Sequence, residues 1–477
     1  MIQITDGITR MPQWRMKSPV NFSLSAGQHI AIVGPNGGGK SMLVDIITGA
    51  HPLLPAASAD VRPNDIRYIT FRDSYGTYDG TYYLQQRWNQ TEIDDGMPTV
   101  GEELERAFLM TGDDTPDRRA FQQHLYDLFS IRYLLDSKVI LMSSGETRKF
   151  QLIKALLTRP SVLVMDNPFI GLDADARGQF TSLLSMLSQE QGLQIILVLS
   201  KVDTIPAFIT HMVIVDQMEV HPAIGRPFPH CECSAAVPES YDFPDAMVAS
   251  ADFDSQEIIR LHKVTIRYGQ RVIMKDLDWT VHRGEHWALE GQNGSGKSTL
   301  LSLVCADNPQ AYACDISLFG HHRRQSSVSI WDIKKHIGYV SPEMHRAYQR
   351  DMPLIRIVAS GLYDSVGLYI TPKTEDYERC RQWMRVFGIE HLADKTFLKV
   401  SSGEQRLALL ARAFVKSPDL LILDEPLHGL DHANSQRVKD IINAYSIIPG
   451  KTLVMVTHYQ EELPPCIDHH LTLKRIM

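Results

Sequence analysis

A chain of 477 residues exceeds what one ordinary hydrophobic core holds, so two domains of ordinary size are expected. Its 44% hydrophobic and 22% charged residues are globular composition, and no run of roughly 18 apolar residues offers a membrane span. The net charge of −8 argues against tight nucleic-acid binding, which depends on basic side chains at phosphates, so no nucleic-acid partner is expected.

The opening MIQITDGITR has no apolar signal region, which predicts a cytoplasmic protein. The six cysteines lie mostly far apart and form no disulfide framework. The first chemical element is the strand HIAIVG, which runs into the loop GPNGGGKS (Gly34–Ser41) and then the apolar helix MLVDIITGA. Strand, G-x-x-x-x-G-K-[ST] and helix form a phosphate cradle. Gly34, Asn36, Gly37 and Gly39 belong to a loop whose backbone N–H groups curl around phosphates at a helix N-terminus. Lys40 is expected at the β/γ-phosphates and Ser41 on Mg²⁺.

A strand IRYITFR follows, then a tyrosine-rich stretch, Tyr68 to Gln90, read as strand and loop rather than a base-stacking surface. A helical insertion is expected roughly over 85–141, then the block MSSGE (Met142–Glu146). VLVMD is an apolar run with Asp166 at its tip, where ligands sit in open α/β sheets, and Asn167 follows it. The strand LVLSK closes the half at Lys201.

From Pro227 to Glu257 there is no Lys or Arg but seven acids, and this stretch reads as a linker crossing solvent. Its HCEC run (His230, Cys231, Cys233) falls short of the four ligands of a structural zinc. The short basic run His321–Arg324 is expected to be a solvated turn.

Past the linker the blocks return in the same order, displaced by 257 or 258 residues. HWALEG leads into GQNGSGKS, carrying Gly291, Asn293, Gly294, Gly296, Lys297, Ser298 and then Thr299. IGYVSPE, a second helical insertion over about 343–399, VSSGE (Val400–Glu404), LLILD ending at Asp424, and VMVTH ending at His458 complete the repeat. The chain is therefore a tandem duplication. Its expected domains are 1–226, an acidic linker 227–256, and 257–477. Each is α/β, with a P-loop core sheet, a small antiparallel sheet and a helical subdomain such as the amphipathic run Asp376–Leu392.

The halves differ where chemistry is decided. Asp166 and Asp424 are the expected Mg²⁺-side carboxylates. Glu425 adds a second carboxylate positioned to polarise the attacking water, whereas Asn167 is an amide that cannot take its proton. General-base help is worth about 10²–10⁴-fold in rate, so unequal sites are predicted. His458, expected at the γ-phosphate and the catalytic carboxylate, is matched by Lys201, a point charge without an acceptor.

Together these blocks resemble the nucleotide-binding domains of ABC ATPases over nearly the whole chain. The distinguishing block is the signature, here MSSGETRK and VSSGEQRL. The resemblance implies that two such domains pair head to tail within this chain, each signature closing over the ATP held by the other half. The first composite site would hold Lys40, Ser41, Asp166, Asn167 and Lys201, closed by Ser401, Ser402, Gly403 and Glu404. The second would hold Lys297, Ser298, Asp424, Glu425 and His458, closed by Ser143, Ser144, Gly145 and Glu146. It also implies that Asp173 and Asp431 communicate between the halves and that Tyr268 stacks on adenine, with Met11 at the matching position and Trp14 as a substitute.

One departure concerns the glutamine that the family uses to sense Mg²⁺ and couple to a membrane partner. Pro342 or Glu343, and Phe71 or Arg72, stand at its place. Phrases such as WDIKKHIGYVS and LILDEPLHGLD further resemble tandem ATP-binding proteins associated with molybdenum transport. The expectation is an ATP hydrolase using ATP and Mg²⁺ that energises a separate transmembrane permease, for molybdate or a related oxyanion, from the cytoplasm or the inner face of the membrane. Two rivals are a regulatory ATP switch without a permease and a ribosome-acting factor like the ABC-F group. The acidic linker and Asn167 speak against the ribosomal one.

Overall fold

The computed structural model describes residues 2–54, 58–60, 65–71, 98–139, 142, 144–169, 172, 174–190, 192–200, 205–229, 241–244, 253–268, 271–292, 294–305, 307–325, 327–342, 344, 348, 351–457 and 459–474. The chain divides into two compact units, Met1–Cys233 and Ser234–Met477.

In the first unit, strands β1 (Ile2–Gly7), β2 (Val20–Leu24) and β4 (Ser58–Asp60) form a small sheet in the order β2-β1-β4 with antiparallel pairing. Alternation in β1 and β2 puts Ile2, Ile4, Val20, Phe22 and Leu24 on the buried face. The main sheet runs β10 (Ile224–Gly225), β8 (His211–Asp216), β3 (Ile30–Val33), β7 (Gln194–Leu199), β6 (Val162–Asp166) and β5 (Ile66–Thr70), and β9 (Glu219–Val220) pairs β8. From β8 to β5 neighbours are parallel. All of β3 and β7 is buried, as continuous apolar runs covered on both faces require. Helix α1 (Lys40–Ile47) follows β3. The helical insertion supplies α2 (Val100–Met110), started by a capping box on Thr99 and Glu102, and α3 (Pro116–Leu128), with Thr115 as its cap. The signature opens α4 (Ser144–Leu156), and α5 (Ala174–Glu190) lies between β6 and β7.

The second unit repeats the plan. β11 (Glu257–Tyr268), β12 (Arg271–His282), β14 (Asp315–Leu318) and β15 (His321–His322) form an antiparallel sheet, with β15 standing where a solvated turn was expected. β13 (His286–Glu290), β16 (Ile337–Val340), β17 (Leu420–Asp424), β18 (Thr452–Val456) and β19 (His469–Thr472) form a parallel sheet ordered β16-β17-β18-β13-β19. That order matches β5-β6-β7-β3-β8 strand for strand, so the duplication read in the motifs is also a duplication of topology. The helices are α6 (Lys297–Val304), α7 (Ile330–Lys335), α8 (Leu354–Ser360), α9 (Thr374–Val386), α10 (Ser402–Phe414) and α11 (His432–Ser446).

The amphipathic run expected to Leu392 is helical only to Val386. Gly388, at φ +74°, ends it: Ile389 N–H donates to Met384 O and Gly388 N–H to Arg385 O, the paired bonds of a Schellman stop. The tyrosine-rich stretch from Arg72 to Gln90 and the HCEC run lie outside the described residues.

Two described pieces of the acidic stretch, 241–244 and 253–257, pack on the second unit instead of crossing solvent. Phe243 stacks on Trp383 (ring centroids 5.5 Å apart) and meets Tyr445 edge-on at 5.8 Å. Ser417 Oγ donates to Pro244 O at 3.2 Å. Phe253 is buried and stacks on His336 at 4.1 Å, while Arg283 holds the carbonyls of Phe253 and Ser255. Phe243 and Phe253 supply the apolar surface that draws these pieces onto the second unit.

Candidate functional site

Each unit brings its repeated blocks to the C-terminal ends of the parallel strands. Gly34 follows β3 at a point where any Cβ would lie 1.9 Å from Val215 O, so no other residue fits. Gly37 and Gly39 are left-handed at φ +75° and +106°. In the second unit a Cβ on Gly291 would lie 2.6 Å from Leu473 O, and Gly294 and Gly296 take φ +79° and +97°. These glycines let the chain turn tightly into a helix start, which is what a phosphate cradle needs.

Lys40 is the first residue of α1, and its ammonium donates to Gly34 O at 2.7 Å and Pro35 O at 2.8 Å. Lys297 does the same at the start of α6, to Gly291 O at 2.5 Å and Gln292 O at 3.1 Å. Both lysines are nearly buried and held over their own loops. Ser41 and Ser298 follow them and are exposed, and Thr299 is buried. Asn293 lies outside the described residues.

Asp166 and Asp424 close β6 and β17. The residue after each takes the same unusual backbone: Asn167 at φ +46°, its N–H bonded to Val198 O at 2.8 Å, and Glu425 at φ +47°, its N–H bonded to Val456 O at 2.9 Å. Asparagine tolerates this left-handed conformation, whereas for glutamate it costs roughly 1–2 kcal/mol. The fold therefore holds a carboxylate in a strained place in the second unit and an amide at the same place in the first.

Their side chains differ accordingly. Asn167 Nδ2 donates to Asp166 Oδ1 at 3.0 Å, its Oδ1 accepts from Ser200 Oγ at 3.3 Å, and Tyr68 OH donates to Asp166 Oδ2 at 3.3 Å. Glu425 Oε2 lies 3.0 Å from His428 Nδ1. The sequence reading did not single out His428; the signal it left was a histidine three residues past the acid, where the first half has Ile170.

A second missed pair is Arg148 and Arg406, at the same register of the two signature helices. Arg406 is buried and donates to Asp424 O (2.8 Å), Glu425 O (2.5 Å), Pro426 O (3.3 Å) and Ser341 O (3.0 Å). Burial pulls its pKa down to about 10, while Asp424 and Glu425 act against the fall, so it stays charged at neutral pH. Arg148 reaches Pro168 O likewise. The signature helix is thus tied to the backbone of the acidic loop.

Two residues expected to close over nucleotide are occupied locally. Ser401 and Glu404 form a capping box: Ser401 Oγ accepts from Glu404 N–H at 3.3 Å and donates to Glu404 Oε2 at 2.7 Å, and Ser401 N–H donates to Glu404 Oε2 at 2.8 Å. Their first role is to start α10, which leaves exposed Ser402 and buried Gly403 as the first residues of that helix. Glu146 accepts from Tyr133 OH at 2.9 Å, and Gly145 lies in the first turn of α4. Asp431 caps α11 through Asn434 N–H at 2.7 Å. Ser143, Asp173, Lys201, His458, Arg72 and Glu343, and the side chains of Ser144 and Tyr268, lie outside the described residues.

At the adenine position, Met11 is half exposed, and Trp14 stacks flat on His51 at 4.1 Å. One face of that indole is already taken, beyond the end of α1. Phe71, where the coupling glutamine was sought, is buried edge-on to Phe180 with the Arg148 guanidinium over its ring.

Among the described residues no three or more His, Cys, Asp or Glu side chains gather as a metal site. One hydroxyl and one carboxylate per half, Ser41 with Asp166 and Ser298 with Asp424, cannot cage a cation alone. Such a hard-oxygen pair suits Mg²⁺ that arrives with phosphate oxygens and water as its remaining ligands.

The ABC transporter family model matches residues 18–170 and again 274–428. The ABC transporter ATP-binding protein ModF of Escherichia coli is 37% identical over 98% of this chain and 96% of its own. An uncharacterized ABC transporter ATP-binding protein of Schizosaccharomyces pombe is 29% identical over 94% of this chain and 93% of its own. Among solved structures, the archaeal ribosome recycling factor aABCE1, in complex with ribosomal stalk protein aP1, matches with a TM-score of 0.55 at 17% identity, covering 98% of this chain and 87% of that one. That likeness concerns the fold.

Proposed function

The chain belongs to the ABC transporter family and is a tandem ATPase, and from that premise we propose that its two halves close on two nucleotides of unequal fate. The second P-loop (Lys297, Ser298), with Asp424, Glu425 and His458, turns ATP over under a lid formed by Ser143, Ser144 and Gly145. The first (Lys40, Ser41), with Asp166, Asn167 and Lys201, holds ATP under Ser402 and Gly403. The observation that carries this reading is the identical left-handed backbone at Asn167 and Glu425, which presents an amide in one half and a carboxylate in the other. Mg²⁺ bound with the nucleotide would neutralise phosphate charge. The chain's own residues orient the phosphates, through the loop N–H groups and lysines, and take a proton from water, through Glu425.

The work of closure is delivered, in this reading, to a separate membrane permease, for an oxyanion such as molybdate. Among the described residues no helix is long and apolar enough to cross a membrane, so a transport role needs such a partner. The full-length similarity to ModF, an ABC transporter ATP-binding protein, supports transport over a ribosomal role, for which the likeness to aABCE1 supplies fold alone. Protein isolated rapidly during turnover with MgATP should retain one intact ATP per chain, and the Glu425→Gln form should retain two and co-purify with a multi-span membrane protein. Retention of ADP alone by the parent chain contradicts the unequal sites.

A further inference from the structure

We propose that His428 is a positioning residue for hydrolysis: its imidazole holds the Glu425 carboxylate in the orientation from which it takes the proton of the attacking water. The proposal rests on the reading of Glu425 as the base.

His428 Nδ1 stands 3.0 Å from Glu425 Oε2, and both side chains are 16% exposed. A bare nitrogen lone pair at that distance from a carboxylate oxygen would be repelled, so the ring presents Nδ1–H to the acid. The other nitrogen, Nε2, is buried without a hydrogen-bond partner among the described residues. A buried unpaired acceptor costs stability, and an apolar residue at this place would avoid the cost. The first half has an apolar residue at the matching sequence position: Ile170, three residues after the amide Asn167. Within one chain, then, histidine accompanies the carboxylate and isoleucine accompanies the amide.

Orientation matters here because a general base has to face the water it deprotonates. Glu425 sits on a left-handed backbone that sets where its side chain starts, and a long side chain on such a start has several rotamers to choose from. A charge-assisted bond to one oxygen removes that freedom. In the step served, the water oxygen bonds to the γ-phosphorus, the water proton passes to Glu425, and the β–γ bridging bond breaks with its electron pair leaving on ADP.

The test is steady-state ATP hydrolysis and ATP binding in variants of the full chain. His428→Ala should lower kcat about tenfold to a hundredfold, the size of losing a hydrogen bond to a charged group, with KM for ATP within about twofold of the parent. His428→Asn, whose amide nitrogen falls near the place of Nδ1, should recover most of the rate, while His428→Ile, copying the first half, should behave as His428→Ala does. In a Glu425→Gln background His428→Ala should change nothing further. Unimpaired kcat in His428→Ala, a rise in KM at constant kcat, or a folded His428→Asn no better than His428→Ile each overturn the proposal. If Glu425→Gln keeps full turnover, the underlying reading of the base falls instead and takes the proposal with it.

Discussion

Glu425→Gln should lower ATP turnover by about 10²–10⁴-fold while ATP binding persists, and Asn167→Ala should change turnover by less than about twofold. The substitution removes only the ability to accept a proton. It keeps the length and shape of the side chain, and the strained backbone with its bond to Val456 O needs no side-chain atom. Asn167 already lacks that ability, and its amide is spent on Asp166 and Ser200. Removing it costs one local network in the half proposed to hold ATP and not to hydrolyse it. The measurement is phosphate release against ATP concentration for the three proteins. Loss of turnover in Asn167→Ala but not in Glu425→Gln would reverse the assignment of the sites.

The second large effect is expected at a residue that touches no nucleotide in this account. Arg406→Met should destabilise the second unit by about 2–4 kcal/mol: Asp424 O and Pro426 O lose the guanidinium at about 1–3 kcal/mol each, Glu425 O and Ser341 O keep the backbone N–H of His428 and Met344, and relief of the guanidinium's desolvation offsets part of the loss. For a unit of this size that lowers the melting temperature by roughly 10 °C. Arg406→Lys should rescue little, because one ammonium cannot span the fork of carbonyls on either side of Glu425. Thermal unfolding of both variants checks the expectation, and a melting temperature within about 2 °C of the parent would show that the clamp carries little of the stability.

The cradles were legible in the sequence because they are made by backbone, and backbone demands glycine at fixed spacing. The unequal carboxylate and amide were legible for a related reason: two copies in one chain supply their own comparison. What stayed hidden were partners in space. Phe243 reads as linker until Trp383 and Tyr445 are seen beside it, from elements roughly 140 and 200 residues away. Arg406 reads as one more polar residue on a helix until the carbonyls behind Asp424 are placed. Ser401 and Glu404 show a different limit, since S-x-x-E is both part of a signature and a helix-starting box, and spacing alone does not rank the two uses. His428 stood in plain view in LHGLD, but its meaning depends on the left-handed turn that brings its ring back to Glu425.

The claim that each half lids the other's nucleotide is tested most directly by turnover of Gly145→Asp. Gly145 sits in the first turn of its helix, and a Cβ there meets nothing closer than Leu172 Cδ2 at 3.8 Å, so the fold admits the change. An acid near a helix N-terminus is even favourable. The substitution lies in the half without a base, yet its carboxylate would repel the γ-phosphate gripped by Lys297. Turnover should fall to the level of Glu425→Gln with ATP still bound; turnover at the parent rate would contradict the account.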